Sequence, residues 1–493
     1  MSEHDLDTHH TRNTLAVKLS RLLPAKAILT AEEDLRPYEC DGLSAYHRLP
    51  LMVVLPETIE QVQAVLQLCQ QENVPVVARG AGTGLSGGAL PINNGVLLSL
   101  AKFNRILDID PVNRTARVEP GVRNLAISEA VAPHGLFYAP DPSSQIACTI
   151  GGNVAENSGG VHCLKYGLTV HNVLQVKLLT IEGEALTLGG SGLDVPGYDL
   201  LALINGSEGM LGIITEITVR LLPRPQQTRV IMAAFDDIPQ AGEAVGAIIA
   251  AGIIPAGLEM MDNPAIRAAE AFVHAGYPEE AAAILLCELD GTDEEVNEQS
   301  AQVEQLLHHS GATTLRVAHD EEEQLLLWKG RKAAFPAVGR ISPDYYCMDG
   351  TIPRKRLPEV LTRISEMSKE YNLPVANVFH AGDGNLHPLI LYDANRPGEL
   401  ERTEEFGGKI LELCVEVGGT ITGEHGVGME KINQMCVQFK PIELEYFHAV
   451  KEAFDPKRLL NPGKAVPTLH RCAEFGAMHV HHGQLPHPEL ERF

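Results

Sequence analysis

The sequence predicts an α+β fold, and three observations predict it. A β-α-β unit occupies 51–78, short strands separated by turns fill most of 95–222, and strands alternate with helices over 229–318 in the manner of an antiparallel sheet. The 493 residues allow about three domains at about 150 residues each.

Residues 12–36 read as a helix followed by a Pro-containing connection. The apolar run 51–55 (LMVVL) has strand length and ends before Pro56. Ile59, Val62, Val65, Leu66 and Cys69 recur at helical spacing, so 57–72 reads as an amphipathic helix with Thr58 as N-cap. A strand follows at 74–78. Further strands are expected at 95–100, 105–109, 115–119, 173–180, 185–188 and 212–222, with a helix at 123–133. Two prolines in LLPRPQQ (221–227) mark a domain boundary. Beyond it, strands at 229–235, 256–260, 281–289 and 314–318 alternate with helices at 238–251, 265–275 and 293–311; Pro264 sits where a helix start tolerates it. A helix at 356–371, a hairpin at 375–392, a helix at 402–418 and a helical stretch at 441–464 follow.

Apolar residues at 44% and charged residues at 21% exclude disordered, collagenous and disulfide-scaffold classes. Subtracting 64 acidic from 39 basic residues leaves −25, a balance that repels phosphate backbones and anionic headgroups, so no nucleic-acid partner is expected. The polar N-terminus and the lack of any long apolar run predict a cytoplasmic chain. Nine scattered cysteines, none in a C-x-x-C pair, predict reduced thiols and no iron–sulfur cluster.

Glycine is concentrated in two places, 80–95 and 151–160. The loop RGAGTGLSGG (79–88) presents successive backbone N–H groups with little side-chain obstruction, a concavity suited to diphosphate. It is not the dinucleotide fingerprint, because a strand follows where a helix should, and no Gly-Lys-Ser/Thr appears. A Gly-rich turn without ligand is the alternative for this loop alone.

Two further segments extend the pattern: PDPSSQIACTIGGNVAENSGG (140–160) and GSEGMLGIIT (206–215). In this order, over about 40–225, the three resemble the FAD-binding module of the vanillyl-alcohol oxidase type. The resemblance implies that Arg79, Gly80, Ala81, Gly82, Thr83, Gly84, Ser86 and Gly87, with Pro140, Asp141, Ser143 and Ser144, wrap the FAD diphosphate. It places Gly151, Gly152, Asn153, Glu156, Asn157, Gly159 and Gly160 along adenosine and flavin, and adds Glu208, Gly209, Gly212 and Ile213. Some family members tether the flavin to a histidine in the first loop; none is present here, so FAD is expected to be non-covalent. His162 and His171 read as satisfied core histidines rather than catalytic ones.

The hairpin NVFHAGDGNLHP (377–388) brings His380 and His387 together at its mouth, and GGTITGEHGVG (418–428) exposes Glu424 and His425 side by side. Two imidazoles and a carboxylate make a divalent-metal triad; ordinary turn and core histidines are the alternative. H-A-G-D-G-N-x-H followed by G-E-H-G-x-G resembles the C-terminal half of flavin-dependent 2-hydroxy-acid dehydrogenases acting on glycolate, D-lactate or D-2-hydroxyglutarate. That resemblance implies His380, His387 and Glu424 as ligands to a divalent metal, often zinc, His425 as base, and Arg331 (WKGR, 328–331) as the group that binds the substrate carboxylate, with a solvated helix charge as the alternative for Arg331. Relatives for larger diacids carry a lysine near Cys347 and an asparagine near Leu389. Neither is present, which points to a small monocarboxylate.

The closing segment DPKRLLNPGK (455–464) resembles the family's return to the flavin domain, with Asn461 as a flavin contact. PYECDGLSAY, GGVHCLKYGLTVHN and RISPDYYCMDGTIP resemble the flavoprotein (D) subunits of bacterial glycolate dehydrogenases. The expected architecture is a PCMH-type FAD-binding domain at 1–225 (core about 50–225), a ferredoxin-like antiparallel-sheet cap with the metal site at 226–430, and a C-terminal helical return segment with tail at 431–493. The expected activity is oxidation of glycolate to glyoxylate by hydride transfer to FAD. Electrons would leave through an iron–sulfur subunit, in a complex that also holds a second flavoprotein-like subunit, to quinone at the inner membrane. D-Lactate as principal substrate, and a non-catalytic flavin-binding subunit, are the alternatives. The tail histidines 470, 479, 481, 482 and 487 read as part of a partner-docking or disordered tail, with a metal-binding tract as the alternative.

Overall fold

The computed structural model describes residues 3–192, 196–468 and Cys472. It divides into two units: Met1–Ser158, Leu168–Pro223 and His425–Phe493 make the first, Gly159–Gly167 and Arg224–Glu424 the second.

In the first unit the apolar runs become a four-stranded sheet in the order Ile28–Leu29, Met52–Val54, Val96–Ser99, Val76–Arg79. The last three strands are parallel, because helix Ile59–Glu72 provides the crossover. That helix buries Val62, Val65, Leu66 and Cys69 of the stripe seen in the sequence, while Ile59, at its first turn, is exposed; such burial contributes about 1.5–3 kcal/mol for a large apolar side chain. Thr58 caps it, its hydroxyl accepting from the Gln61 N–H at 3.3 Å. A second, antiparallel sheet has the order Ile106–Asp110, Thr115–Val118, Ile213–Arg220, Val173–Leu179, Ala185–Gly189.

Three stretches of this unit differ from expectation. The first helix runs Glu3–Leu19, not within 12–36 alone. Residues Ile150–Glu156, given no element from the sequence, form a helix despite two glycines. Burial of Ile150 and Val154 in the core overrides propensity, and a Cβ on Gly151 would stand 2.6 Å from the Pro120 ring. The final helix, expected over 441–464, is Pro441–Phe454. It stops because Pro456 disfavours helical geometry at Asp455, whose φ is −146°. The chain then returns to the sheet edge: the Val76 N–H donates to the Leu459 carbonyl, and the Asn461 N–H to the Val76 carbonyl, both at 2.8 Å.

Segment 425–430 also belongs here rather than to the cap. Both carboxylate oxygens of Glu208 accept backbone N–H bonds, from Val427 and Gly428, at 2.7 Å each. Met429 and Glu430 donate to the Ser86 carbonyl.

The second unit is a seven-stranded antiparallel sheet ordered Thr314–Val317, Gln227–Phe235, Ala283–Gly291, Gly257–Asp262, Val375–Phe379, Pro388–Tyr392, Asp344–Cys347. Helices Ile238–Ala250, Asn263–Val273 and Asp293–His309 fall between its strands. Segment Gly159–Gly167 joins this unit rather than the expected 1–225 domain, tied down by two buried carboxylates. Asp290 accepts from the Lys165 ammonium and, at 2.5 Å, from the Tyr166 hydroxyl; Glu288 meets His162 Nε2 at 3.0 Å and the Trp328 indole N–H.

Helix Asp293–His309 opens with a reciprocal cap: the Thr292 hydroxyl accepts from the Glu295 N–H, and Glu295 Oε2 accepts from the Thr292 N–H. Thr292→Ala is expected to destabilise the unit by about 1 kcal/mol, read as an earlier denaturant midpoint at unchanged slope.

Two cysteines depart from the expectation of free thiols. Cys436 and Cys472, with Cα atoms 5.3 Å apart, form a disulfide; the other seven are in no disulfide. The tail histidines 470, 479, 481, 482 and 487 lie outside the described residues. No helix among the described residues is long and apolar enough to cross a membrane.

Candidate active site

In the second unit, strand Val375–Phe379 delivers His380 into a tight turn that returns through Asn385 and Leu386 to His387. The His380 N–H donates to the Asn385 carbonyl at 3.1 Å. Gly384 turns the chain with φ +82°, and a Cβ there would lie 2.2 Å from the Ile352 carbonyl oxygen, so glycine is required. The two imidazole rings stand 5.1 Å apart, nearly perpendicular.

Glu424 comes from a distant segment. Thr420 pairs with Thr351 through two backbone hydrogen bonds of 3.0 and 3.1 Å, while Gly350 and Thr351 pair with Leu386 and Asn385. Gly419 makes this approach possible, since a Cβ would fall 1.8 Å from the Thr351 carbonyl oxygen. Asp349, fully buried, then accepts from the Thr422 hydroxyl at 2.6 Å and from the Gly423 and Glu424 N–H groups. Glu424 Oε1 ends 3.3 Å from both His380 Nε2 and His387 Nε2. The three residues offer one ligand atom each, all within 4.8 Å of one another, and two imidazole nitrogens with one carboxylate oxygen form a donor set for a divalent cation.

Behind His380 lies Glu259, whose oxygens sit 2.8 and 2.9 Å from Nδ1. Arg331 is 2% exposed and pairs with the same carboxylate at 2.6 Å, so it is not the solvated helix charge considered above. Burial disfavours the charged imidazole of His380, but the Glu259 and Glu424 carboxylates outweigh it and hold the group well above its usual range. Burial likewise raises Asp383, in the same turn, to about 6.

In the first unit, the Gly-rich loop follows strand Val76–Arg79. Arg79 is buried and donates to the Cys40 carbonyl at 2.7 Å. Gly82, Thr83 and Gly84 are half-buried, Ala81 is exposed, and Ser86 and Gly87 are buried. A Cβ on Gly80 would lie 2.2 Å from Thr149 Oγ1, so the loop passes directly against the start of helix Ile150–Glu156, which carries Gly151, Gly152, Asn153 and Glu156. Asn124 anchors the turn before this helix by donating to the Pro140 carbonyl; Asp141 is buried there, while Ser143 is exposed and Ser144 half-buried. Asn461 donates to the carbonyls of Gly88 and Glu208 at 2.9 and 2.7 Å. Asn157, Glu208 and Asn461 all hold positive φ, a cost of about 1–3 kcal/mol each that the surrounding contacts sustain. Gly209 follows Glu208 at φ +70°, and Gly212 and Ile213 lead into the central antiparallel strand.

Residues 50–189 match the family model described as FAD binding domain, and residues 224–465 match FAD linked oxidases, C-terminal domain. The chain is 68% identical over 98% of its length to the glycolate oxidase subunit GlcD of Escherichia coli (strain K12), covering 97% of that protein. The chain belongs to the FAD-linked oxidases. It is also 33% identical to a D-lactate dehydrogenase of Anaerostipes hadrus, over 91% of this chain and 96% of that protein. Its fold matches the 4-ethylphenol oxidase from Gulosibacter chungangensis at a TM-score of 0.78 and 17% identity, covering 93% of this chain and 98% of the other.

As an FAD-linked oxidase the protein is an oxidoreductase that binds FAD, and its first unit fits that cofactor. Among the described residues, the buried Ser86 and Thr149 hydroxyl oxygens and the Asn153 amide nitrogen have no hydrogen-bond partner within the protein. Buried polar atoms of this kind call for a ligand or ordered water. Gly159 and Gly160, grouped with these residues in the sequence, open the segment that belongs to the second unit. The Glu208 carboxylate also fastens 427–428.

Sequence reasoning missed Glu259, Asp349 and Lys464, whose buried ammonium, lowered to about 7 by desolvation, donates to Gly88, Leu90 and Asn461. A charged residue inside an otherwise apolar run (GLEMM) was the available signal for Glu259. His162 and His171 are satisfied, His162 against Glu288 and His171 Nδ1 by the Leu168 N–H.

Proposed function

We propose that the protein oxidises glycolate to glyoxylate and passes the electrons to partner subunits. The convergence of His380, His387 and Glu424 on one point, in a chain so similar to a GlcD subunit, carries the reading. These three residues would hold a divalent cation, zinc by its donor set, which supplies Lewis acidity toward the substrate's hydroxyl. FAD, when bound, supplies the hydride acceptor. His425 accepts the hydroxyl proton at a ring nitrogen as carbon 2 gives up its hydrogen with the bonding electron pair. Arg331, which also pairs with Glu259, is the group that the resemblance assigns to the substrate carboxylate.

Substrate size follows from residues 347 and 389. Cys347 and Leu389 face each other in register, are 4% and 0% exposed, and lie in the apolar core, so a second carboxylate would find no polar partner there. A small monocarboxylate suits this chain. The absence of histidine from 79–88 supports non-covalent FAD.

Reduced flavin must then be emptied. The thiols of this sequence lack the close spacing of cluster ligands, which supports an iron–sulfur partner subunit, beside a second flavoprotein-like one, with quinone as the onward acceptor. The −25 charge supports a cytoplasmic protein that meets the inner membrane through those partners.

Anaerobic addition of glycolate to the purified complex should bleach the visible flavin absorption within one turnover. Unbleached flavin, in the complex and in the isolated chain, sinks the proposal. The D-lactate dehydrogenase relative favours D-lactate as a second reading. One methyl group changes specificity by about 10–200-fold in a pocket, so the ratio of kcat/KM values for the two acids separates the readings.

A further inference from the structure

Glu259 is a carboxylate in the middle of strand Gly257–Asp262, between the apolar Leu258 and Met260, and it is 1% exposed. A buried charge is tolerated only when it is paired and hydrogen-bonded. Glu259 is paired twice: His380 Nδ1 approaches both oxygens, and the Arg331 guanidinium approaches Oε2 at 2.6 Å. A neutral imidazole that donates its Nδ1 proton keeps a lone pair on Nε2, so a cation that displaces the proton from His380 Nε2, the atom that faces Glu424 Oε1, would find that lone pair aimed at it.

The geometry points to Glu259 as a positioning residue that fixes the tautomer and ring orientation of His380 for cation binding, with Arg331 as its counter-charge. This rests on the reading that His380, His387 and Glu424 hold a divalent cation. It gives Arg331 a task that needs no substrate: neutralising the carboxylate that orients a ligand. Glu259 is not among the ligand atoms of the triad, so its removal leaves the donor set intact and changes only how one donor is held.

The test uses the full-length, FAD-loaded protein, stripped with a chelator and titrated with zinc against a chromophoric competitor. Glu259→Gln is expected to weaken zinc binding by about 10–100-fold, the usual effect of losing a carboxylate behind a ligating histidine. Because that variant leaves Arg331 buried without its partner, the double variant Glu259→Gln/Arg331→Met is measured beside it; removing both charges keeps the unit folded. The double variant should show the same loss of affinity, with wild-type FAD content and thermal midpoint. A folded double variant that holds zinc as tightly as the wild type overturns the assignment of Glu259. A wild-type protein that binds no zinc, or whose binding is unchanged by His380→Ala, overturns the triad itself.

Discussion

His425→Asn should slow flavin reduction by glycolate about 10²–10⁴-fold, the usual contribution of a positioned general base. The substitution keeps a polar side chain of similar reach and removes the capacity to take up a proton. The backbone around it is held independently of the side chain. On one side Asp349 accepts from the Glu424 N–H; on the other Glu208 accepts from the Val427 and Gly428 N–H groups. The loss should therefore appear in the rate of anaerobic flavin bleaching, while FAD content and zinc affinity stay at wild-type values. Wild-type bleaching in the variant would remove His425 from the chemistry. Wild-type turnover of the whole complex after this change would also revive the reading of the chain as a flavin-holding subunit without chemistry of its own.

What was legible in the sequence was local. The stripe Val62, Val65, Leu66 and Cys69 and the cap at Thr58 depend on spacings of three or four residues, and both stand in the structure, with only the stripe's first member, Ile59, left exposed. The meeting of His380 and His387 is of the same kind, since seven residues and one turn bring the rings to 5.1 Å. Glu259 was hidden because its partner His380 lies 121 residues away, and no local pattern encodes a pairing of that range. Long-range pairing also explains where the two units divide: Asp290 draws Lys165 into the second unit across 125 residues, and Glu208 draws Val427 into the first across 219. The helix Ile150–Glu156 was missed for the opposite reason. Its two glycines argue against helix locally, and only the packing of Ile150 and Val154 decides for it. The Cys436–Cys472 bond, spanning 36 positions, follows from fold rather than spacing.

Asp349→Ala should be the most destabilising change at the site. The carboxylate is fully buried and accepts from three donors on one short segment: the Thr422 hydroxyl and the N–H groups of Gly423 and Glu424. Alanine would leave those donors with no acceptor in a region too packed to admit solvent freely. Removing one side of such a buried charged network costs about 3–5 kcal/mol, and for a unit of about 200 residues that lowers the thermal midpoint by roughly 10 °C. The same hydrogen bonds position the backbone of Glu424, so zinc affinity should fall together with stability. Asp349→Asn divides the two effects. It preserves volume and one acceptor oxygen, but turns an NH2 toward backbone donors, so it should fold with an intermediate midpoint while still displacing Glu424. Zinc affinity in Asp349→Asn close to that of the wild type would show that the turn 422–424 is held by the Thr351–Thr420 pairing alone, and that Asp349 contributes only to stability.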